Sequence, residues 1–252
     1  MQARQDHKQA LAIARKIKHR LFEGNALLNL GNVYLFMGVH EEASECYKTA
    51  LDIYRQIGNR TGEGWGLAYA SLHAHRLEDH ELAQTFAQEA LDIAEEIGDR
   101  HIQGYAWTHL GHALLSLERS NDAYDAYKNA VALRRELEEK HLAIESLSGV
   151  LRVYIQQTRL SEAAPHLEEI LSFFKQNTLE GTDEPLRIYL SCFQILYNSK
   201  DPRSTKILTK THTLLQEQAT KINKDTFRHS FLEEVTAHRE ISIAFAEGKF
   251  IS

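Results

Sequence analysis

Histidine is the residue type in this sequence that is best able to do chemistry. The chain has 14 histidines, and His73, His75, His80, His109 and His112 lie within one short region. His109 and His112 are spaced to share one face of a helix, whereas His73 and His75 would point to different faces. Because a zinc site needs a third or fourth ligand in fixed geometry, this spacing does not specify one. We therefore predict no metal site and interpret these histidines as polar groove or surface residues.

No catalytic arrangement is readable. The sequence has no nucleophile elbow, no HExxH motif and no glycine-rich phosphate loop of the GxxxxGK[ST] type. Its acidic residues fall in runs such as Glu95-Glu96 and Glu138-Glu139, which are typical of solvated helix faces. The sequence therefore predicts a protein that is not an enzyme and that binds no cofactor.

The elements that would position any site repeat every 40 residues. The motif Ile57-Gly58-Asn59-Arg60 recurs as Ile97-Gly98-Asp99-Arg100. One column of the repeat holds only alanine, at Ala10, Ala50, Ala90 and Ala130. A period of this size predicts a stack of helix pairs, because one pair cannot bury its apolar faces alone. We expect an all-α, right-handed superhelical solenoid of antiparallel helix pairs.

The columns divide the chain into two parts. Residues 1–176 are predicted to form a half repeat and four units, the first with helices at about Glu23–Met37 and Glu41–Ile57. Residues 177–252 are predicted to form a degenerate fifth helix pair and a capping helix at about 225–246, with one wet face. Because an array seldom starts on half a unit, we expect either an excised piece or an unusual half repeat.

Two glycines lie in the middle of predicted helices. At Gly31 and Gly111 glycine costs roughly 1 kcal/mol relative to alanine. We expect this cost to be offset by close approach of the two helices of a unit. The matching small residues of the second helices would be Ala43, Ala83, Ala123 and Ala163.

The repeated columns resemble those of the tetratricopeptide repeat (TPR) family. In the first unit the matching residues are Leu27, Leu30, Gly31, Tyr34, Ala43, Tyr47 and Ala50. The period is longer than the usual 34 residues, so longer helices or loops are expected. The repeated joint and the closing segment 230–241 further resemble the MalT-like sensor arms of bacterial signal-transduction ATPases. With no phosphate loop present, an ATPase module would lie outside this chain.

The TPR resemblance implies where a partner would bind. In that family the first helix of each pair lines the concave surface, and its exposed residues contact the partner. Transferred by column, the peptide- or protein-binding residues are Asn25, Asn29, Asn32, Trp65, Tyr69, Leu72, Tyr105, His109, His112 and Arg152. Because Leu28 and Ala68 stand where the family's carboxylate clamp has lysine, recognition of a terminal carboxylate is disfavoured.

Composition indicates which classes of partner are excluded and in which cellular compartment the protein acts. A net charge of -6 and a pI of about 6.2 argue against a nucleic-acid partner. No apolar run is long enough to cross a membrane. Cys46 and Cys192 are too few for a disulfide framework, so we expect a cytoplasmic protein.

The sequence predicts a non-catalytic protein–protein interaction scaffold that binds a peptide or protein partner on its concave surface. The alternative is a sensor or oligomerisation arm of a larger regulatory ATPase or transcriptional regulator, with a role in signal transduction and with self-association. The half repeat at the start and the closing segment motivate this alternative.

Overall fold

The structure is a computed structural model that describes residues 2–248. Within these residues it contains thirteen α-helices and no strand, which confirms the predicted all-α class. The helices are α1 (Gln2–Lys16), α2 (Arg20–Phe36), α3 (His40–Gln56), α4 (Arg60–Arg76), α5 (His80–Ile97), α6 (Arg100–Ser116), α7 (Ser120–Glu136), α8 (Lys140–Gln156), α9 (Leu160–Phe173), α10 (Pro185–Asn198), α11 (Arg203–Thr220), α12 (Asp225–Glu233) and α13 (Thr236–Ala246).

Helix length accounts for the period. The first helices α2, α4, α6 and α8 begin at residues 20, 60, 100 and 140, and each has 17 residues. Their pairs α3, α5, α7 and α9 begin at residues 40, 80, 120 and 160. Because the connections are only two or three residues long, the long period comes from long helices. The first of them begins at Arg20, three residues before the predicted Glu23.

Every connection from α1 to α9 reverses the chain in the same way. A left-handed residue recurs every 20 positions, with φ between 55° and 70°, at Lys18, Gly38, Gly58, Glu78, Gly98, Glu118, Glu138 and Thr158. Glycine adopts this conformation at least cost, yet most of these positions are not glycine. The short connection therefore sets the backbone, which is why the change from glycine to Glu138 leaves the turn intact.

The repeated joint caps the first helix of a unit and links that helix to the second helix of the same unit. The side chains of Asn59 and Asp99 accept hydrogen bonds from the N–H groups of Gly62 (3.1 Å) and Ile102 (3.0 Å). Such caps satisfy donors that the first helical turn leaves unpaired. Arg60 donates to Glu63 in its own helix and to Glu96 in α5. The Arg100–Glu136 pair repeats this link one unit later.

The mid-helix glycines accommodate tyrosine rings. A Cβ atom on Gly31 would lie 2.7 Å from Cε1 of Tyr47, and one on Gly111 would lie 2.6 Å from Cε1 of Tyr127. The predicted alanine column is fully buried, as at Ala43. However, the tyrosine of the second helix, and not the alanine, is the group that needs the glycine.

The C-terminal helices fold back towards the first unit. The predicted last helix is broken into α12 and α13 at residues 234 and 235. Phe231 lies 5.3 Å from Phe36 between ring centroids, and Phe227 lies 6.4 Å from Tyr34. A Cβ on Gly38 would lie 2.7 Å from the carbonyl oxygen of residue 230. The segment therefore packs against unit one as well as against unit four, which α10 contacts.

One side of the solenoid is lined by first helices. Helix α2 contacts α4, α4 contacts α6, α6 contacts α8, and α8 contacts α10. We call the side of these helices that carries the predicted contact residues the inner face. The C-terminal helices and the loop before α10 lie against part of it.

Candidate functional site

The ten predicted contact residues all lie on first helices, but they differ in exposure. Asn25 and Asn29 are exposed, and five others are partly exposed: Asn32, Trp65, Tyr69, Tyr105 and Arg152. The side chains of Leu72, His109 and His112 are only 1%, 2% and 4% exposed. The prediction that these three are exposed is therefore wrong, because the chain itself covers them.

Asn32 and His112 are held by tyrosines of their own units. The Tyr47 hydroxyl donates to Oδ1 of Asn32 at 2.9 Å, and the Tyr127 hydroxyl lies 2.7 Å from Nδ1 of His112. In units two and four both the tyrosine and its partner are replaced. Unit two has Leu72 and Ala87 at these positions, and unit four has Arg152 and Leu167. This shared change was the signal in the sequence that Asn32 and His112 have an internal partner.

Asn25 is also bonded internally, whereas Asn29 is not. The Tyr54 hydroxyl donates to Oδ1 of Asn25 at 2.9 Å. Gly24 makes room for this ring, because a Cβ there would lie 2.8 Å from Cε1 of Tyr54. Among the described contacts Asn29 has no side-chain hydrogen bond, and it lines an open groove between α1 and α2. Its amide is therefore available to a partner.

The loop between α9 and α10 crosses the inner face. We call residues 177–184 the inserted loop. Oδ2 of Asp183 lies 3.4 Å from Nε2 of His109, and Oε1 of Glu184 lies 3.2 Å from Nη2 of Arg76. The Glu184 N–H donates to Oε1 of Glu145 at 2.8 Å. The chain thus places its own acidic residues against units two, three and four.

Beside the Glu184 carboxylate, the positive charge is carried by arginine and not by His75 or His112. Burial alone would raise the pKa of Glu184, but Arg187 and Arg76 outweigh it and hold this pKa well below its usual range. Burial, followed by the Arg152 charge, lowers the pKa of both His75 and His112 well below the usual value. Both rings are therefore neutral at pH 7.

Glu145 behaves in the opposite way to Glu184. Burial and the neighbouring Asp183 charge raise the pKa of Glu145 well above its usual value. The surroundings thus shift the pKa values of these two buried carboxyl groups in opposite directions, downward for Glu184 and upward for Glu145. Despite the many acidic and histidine side chains, no three in the described residues 2–248 are arranged to hold a metal ion.

Three aromatic rings form a partly exposed group on units two and three. We call Trp65, Tyr69 and Tyr105 the aromatic cluster. The Trp65 ring centroid lies 5.0 Å from that of Tyr105, edge to face, and 6.2 Å from that of Tyr69. The Arg134 guanidinium lies 4.2 Å from the centroid of Tyr105. Packing on both sides fixes the rings, which leaves a rigid apolar surface beside the inserted loop.

Arg152 faces a pocket near the C-terminal end of the inner face. Its Nη1 lies 3.3 Å from Nδ1 of His112. The pocket has a volume of about 270 Å³ and is also lined by Arg187 and Glu240. The inner face therefore holds two open regions, the aromatic cluster with Asn29 and this arginine pocket, separated by the inserted loop. Of the helices described, none is both long and apolar enough to cross a membrane.

Comparison with known proteins identifies the repeat. Tetratricopeptide repeat models match residues 1–56 and residues 104–137. No curated protein matches the chain at a significant level. The chain thus contains tetratricopeptide repeats in its first and third units, as the columns indicated. The resemblance to the MalT-like sensor arm is not shown by these matches and stays a prediction.

Solved structures share the fold at low sequence identity. A Rap protein complexed with competence and sporulation factor is 16% identical, with a TM-score of 0.67 over 97% of this chain and 70% of that one. BtubC from P. vanneervenii is 12% identical, with a TM-score of 0.66 over 89% and 93%. The apo form of RapI is 13% identical, with a TM-score of 0.61 over 98% and 71%. These are helical repeat proteins, and nothing in the comparisons points to an enzyme.

Proposed function

We propose that this protein is a non-catalytic scaffold that holds a protein or peptide partner on the open, N-terminal part of its inner face. The aromatic cluster carries the proposal. Tryptophan and tyrosine supply large contact area at low entropic cost, and they are enriched among the residues that dominate binding energy. Trp65, Tyr69 and Tyr105 are partly exposed and already fixed by one another, so a partner would not have to order them.

The neighbouring unit supplies polar contacts. Asn29 is exposed on α2, and its amide can both donate to and accept from an extended backbone. An apolar side chain of the partner would pack on the aromatic cluster while its backbone meets Asn29. The similarity of fold to a Rap protein solved with competence and sporulation factor supports a role in holding another chain.

The inserted loop limits the surface that a partner can reach. Asp183 and Glu184 already contact units two to four, and His109 and His112 are buried beneath them. We therefore propose that the partner lies across units one to three and contacts Asn25, Asn29 and the aromatic cluster. The roles of Leu72, His109 and His112 are then to shape the surface and not to contact the partner. Because Cys46 and Cys192 are both free and buried, we propose that this takes place in the reducing cytoplasm.

The experiment is a pull-down from lysate followed by affinity measurement on each retained protein. Trp65→Ala should weaken binding by at least about tenfold, as expected for a residue that dominates an interface. The matched control is Tyr124→Ala, which removes a partly buried aromatic ring of α7 that packs on Tyr154. Circular dichroism should show that both variants are folded. Equal retention of every partner by Trp65→Ala, or no retained partner at all, would refute the proposal.

A second candidate function is the oligomerisation arm of a larger regulator. One observation favours it: Ile13, Ile17 and Phe22 are 52%, 58% and 54% exposed and line the groove between α1 and α2. Clustered apolar side chains of this size are typical of an interaction surface. Light scattering would detect self-association of the wild type that Ile13→Lys abolishes. A monomer at every concentration tested would count against this function.

A further inference from the structure

The arginine pocket joins four helices that are distant in sequence. Leu115 and Ser116 come from α6, Arg152 from α8, Arg187 from α10 and Glu240 from α13. Its volume of about 270 Å³ lies just below the range of pockets that hold drug-sized ligands. It therefore has room for a small molecule. The pocket is separate from the aromatic cluster, so it is not required by the proposed protein-binding role.

Arg152 forms no ion pair with any residue in the part of the chain that the structure describes. Among the described residues, no carboxylate oxygen lies at ion-pair distance from its guanidinium, and its close polar contact is Nδ1 of the neutral His112 at 3.3 Å. That nitrogen also faces the Tyr127 hydroxyl at 2.7 Å. The arginine therefore keeps most of its five N–H donors unused beside the pocket. A partly buried charge without a partner is costly unless something else neutralises it.

Arg187 is only partly neutralised. Its Nε lies 3.0 Å from Oε2 of Glu184, but the two atoms are not aligned as a hydrogen bond. The same carboxylate also pairs with Arg76, whose Nη2 donates to Oε1. One carboxylate thus serves two guanidinium groups, and a third guanidinium, that of Arg152, stands beside them without one. On the side that faces the pocket, Glu240 is the one carboxylate among the described lining residues, so the two arginines outnumber it.

The opposite wall defines what kind of anion would fit. Glu240 lines the pocket, and its Oε2 accepts a hydrogen bond from Nε2 of Gln194 at 3.2 Å. With Arg152, Arg187 and Glu240 the lining has a formal charge of +1, which suits a monoanion better than a phosphate dianion. Arginine matches a carboxylate in shape as well as in charge. Glu240 offers an acceptor to a ligand group that donates.

We propose that this pocket is a binding site for a small carboxylate that carries an adjacent amino or hydroxyl group. The carboxylate lies between Arg152 and Arg187, and the amino or hydroxyl group donates to Glu240. Because the walls come from α6, α8, α10 and α13, such a ligand joins the C-terminal helices to units three and four.

The test is calorimetry and thermal denaturation with a panel of 2-hydroxy and 2-amino carboxylates, from glycolate and glycine to phenyllactate and phenylalanine, at constant ionic strength. At least one member should bind saturably with a dissociation constant of about 1 mM or lower. Its carboxamide, which lacks the charge, should not bind. Arg152→Gln should weaken binding by at least about tenfold. The matched control, Arg135→Gln, changes an exposed arginine that pairs with Glu169 and should leave binding unchanged.

A second variant tests the role that the proposal gives to Glu240. Glu240→Gln keeps a polar side chain for Gln194 but removes the negative charge. It should reduce the preference for a hydroxy acid over its deoxy analogue, for example lactate over propionate, and it should strengthen binding of propionate. The proposal is overturned if no member of the panel saturates, if the two arginine variants bind alike, or if inorganic phosphate binds as tightly as the best carboxylate.

Discussion

Glu184→Gln tests whether the inserted loop fastens the C-terminal helices to the inner face. The Glu184 side chain is only 5% exposed, and its carboxylate lies 3.2 Å from Arg76 and 3.0 Å from Arg187. Among the described residues these two arginines have no other carboxylate at ion-pair distance. Glutamine preserves the shape of the side chain and removes its charge, so it leaves two largely buried cations without an anion.

The expected cost is large. Removing one partner of a buried ion pair costs about 3–5 kcal/mol, because the remaining charge stays buried without compensation. Here one carboxylate serves two arginines, whose side chains are 7% and 12% exposed. Since the whole free energy of unfolding of a domain is about 5–15 kcal/mol, this single change removes a sizeable part of it. The amide oxygen of glutamine can still accept from Arg76, so we expect the lower end of the range.

Urea unfolding followed by circular dichroism measures this cost. The matched control is Glu169→Gln, which removes the exposed carboxylate that pairs with Arg135 and should cost at most about 1 kcal/mol. Because repeat arrays can unfold in parts, hydrogen exchange should accompany the urea experiment. Amides of α10, α12 and α13 should lose protection in Glu184→Gln, whereas those of α3 and α5 should keep it.

Two outcomes would refute this reasoning. If Glu184→Gln cost no more than Glu169→Gln, the buried contact would not be a net source of stability. If protection fell evenly along the chain, the inserted loop would not be the fastening point of the C-terminal helices. The second outcome would also weaken the argument that this loop restricts the partner to units one to three.

Three further predictions concern a repeat glycine, a buried histidine of the C-terminal helices and a helix cap. Gly111→Ala should lower the free energy of unfolding by about 1–3 kcal/mol, because the added methyl group meets the Tyr127 ring at 2.6 Å. When it is combined with Tyr127→Leu, the same change should cost less than it does alone. Urea unfolding measures both costs. Burial lowers the pKa of His238 to about 4, so folding favours the neutral ring and stability falls as the pH drops below about 6.5. Between pH 8 and pH 5 the wild type should therefore lose about 2 kcal/mol more of its free energy of unfolding than His238→Asn does. The asparagine keeps a donor for the Phe231 carbonyl. Asp99→Ala should cost about 1 kcal/mol in thermal unfolding, because it removes the cap of α6.

Each of these predictions has an outcome that contradicts it. A double variant no better than Gly111→Ala would mean that the tyrosine ring is not what requires the glycine. Parallel pH profiles for wild type and His238→Asn would show that His238 is not buried in its neutral form. For the cap, Arg119→Ala is the control, because the side chain before α7 makes no capping hydrogen bond; an equal loss in both variants would remove the special role of Asp99.

The amino-acid sequence by itself determined the repeat. The 40-residue period, the helix pairs and the all-α class follow from columns of apolar and small residues, because each unit contacts mainly its neighbours. The caps at Asn59 and Asp99 are local as well, since a cap joins a side chain to a backbone group only two or three residues away, but it was the structure that identified them. Even the joint at Glu138 follows the pattern, because a short connection leaves the backbone little choice.

Only the tertiary structure decided which part of the inner face is open. The repeat columns predict His109 and His112 on the surface, but Asp183 and Glu184, which belong to no column, return to cover them. The ion pair between Arg76 and Glu184 joins residues 108 positions apart, so it leaves no periodic trace in the sequence. The same holds for the contact of Phe231 with Phe36 and for the arginine pocket. Such sites arise where the array folds back on itself, and that depends on packing between units that are not neighbours.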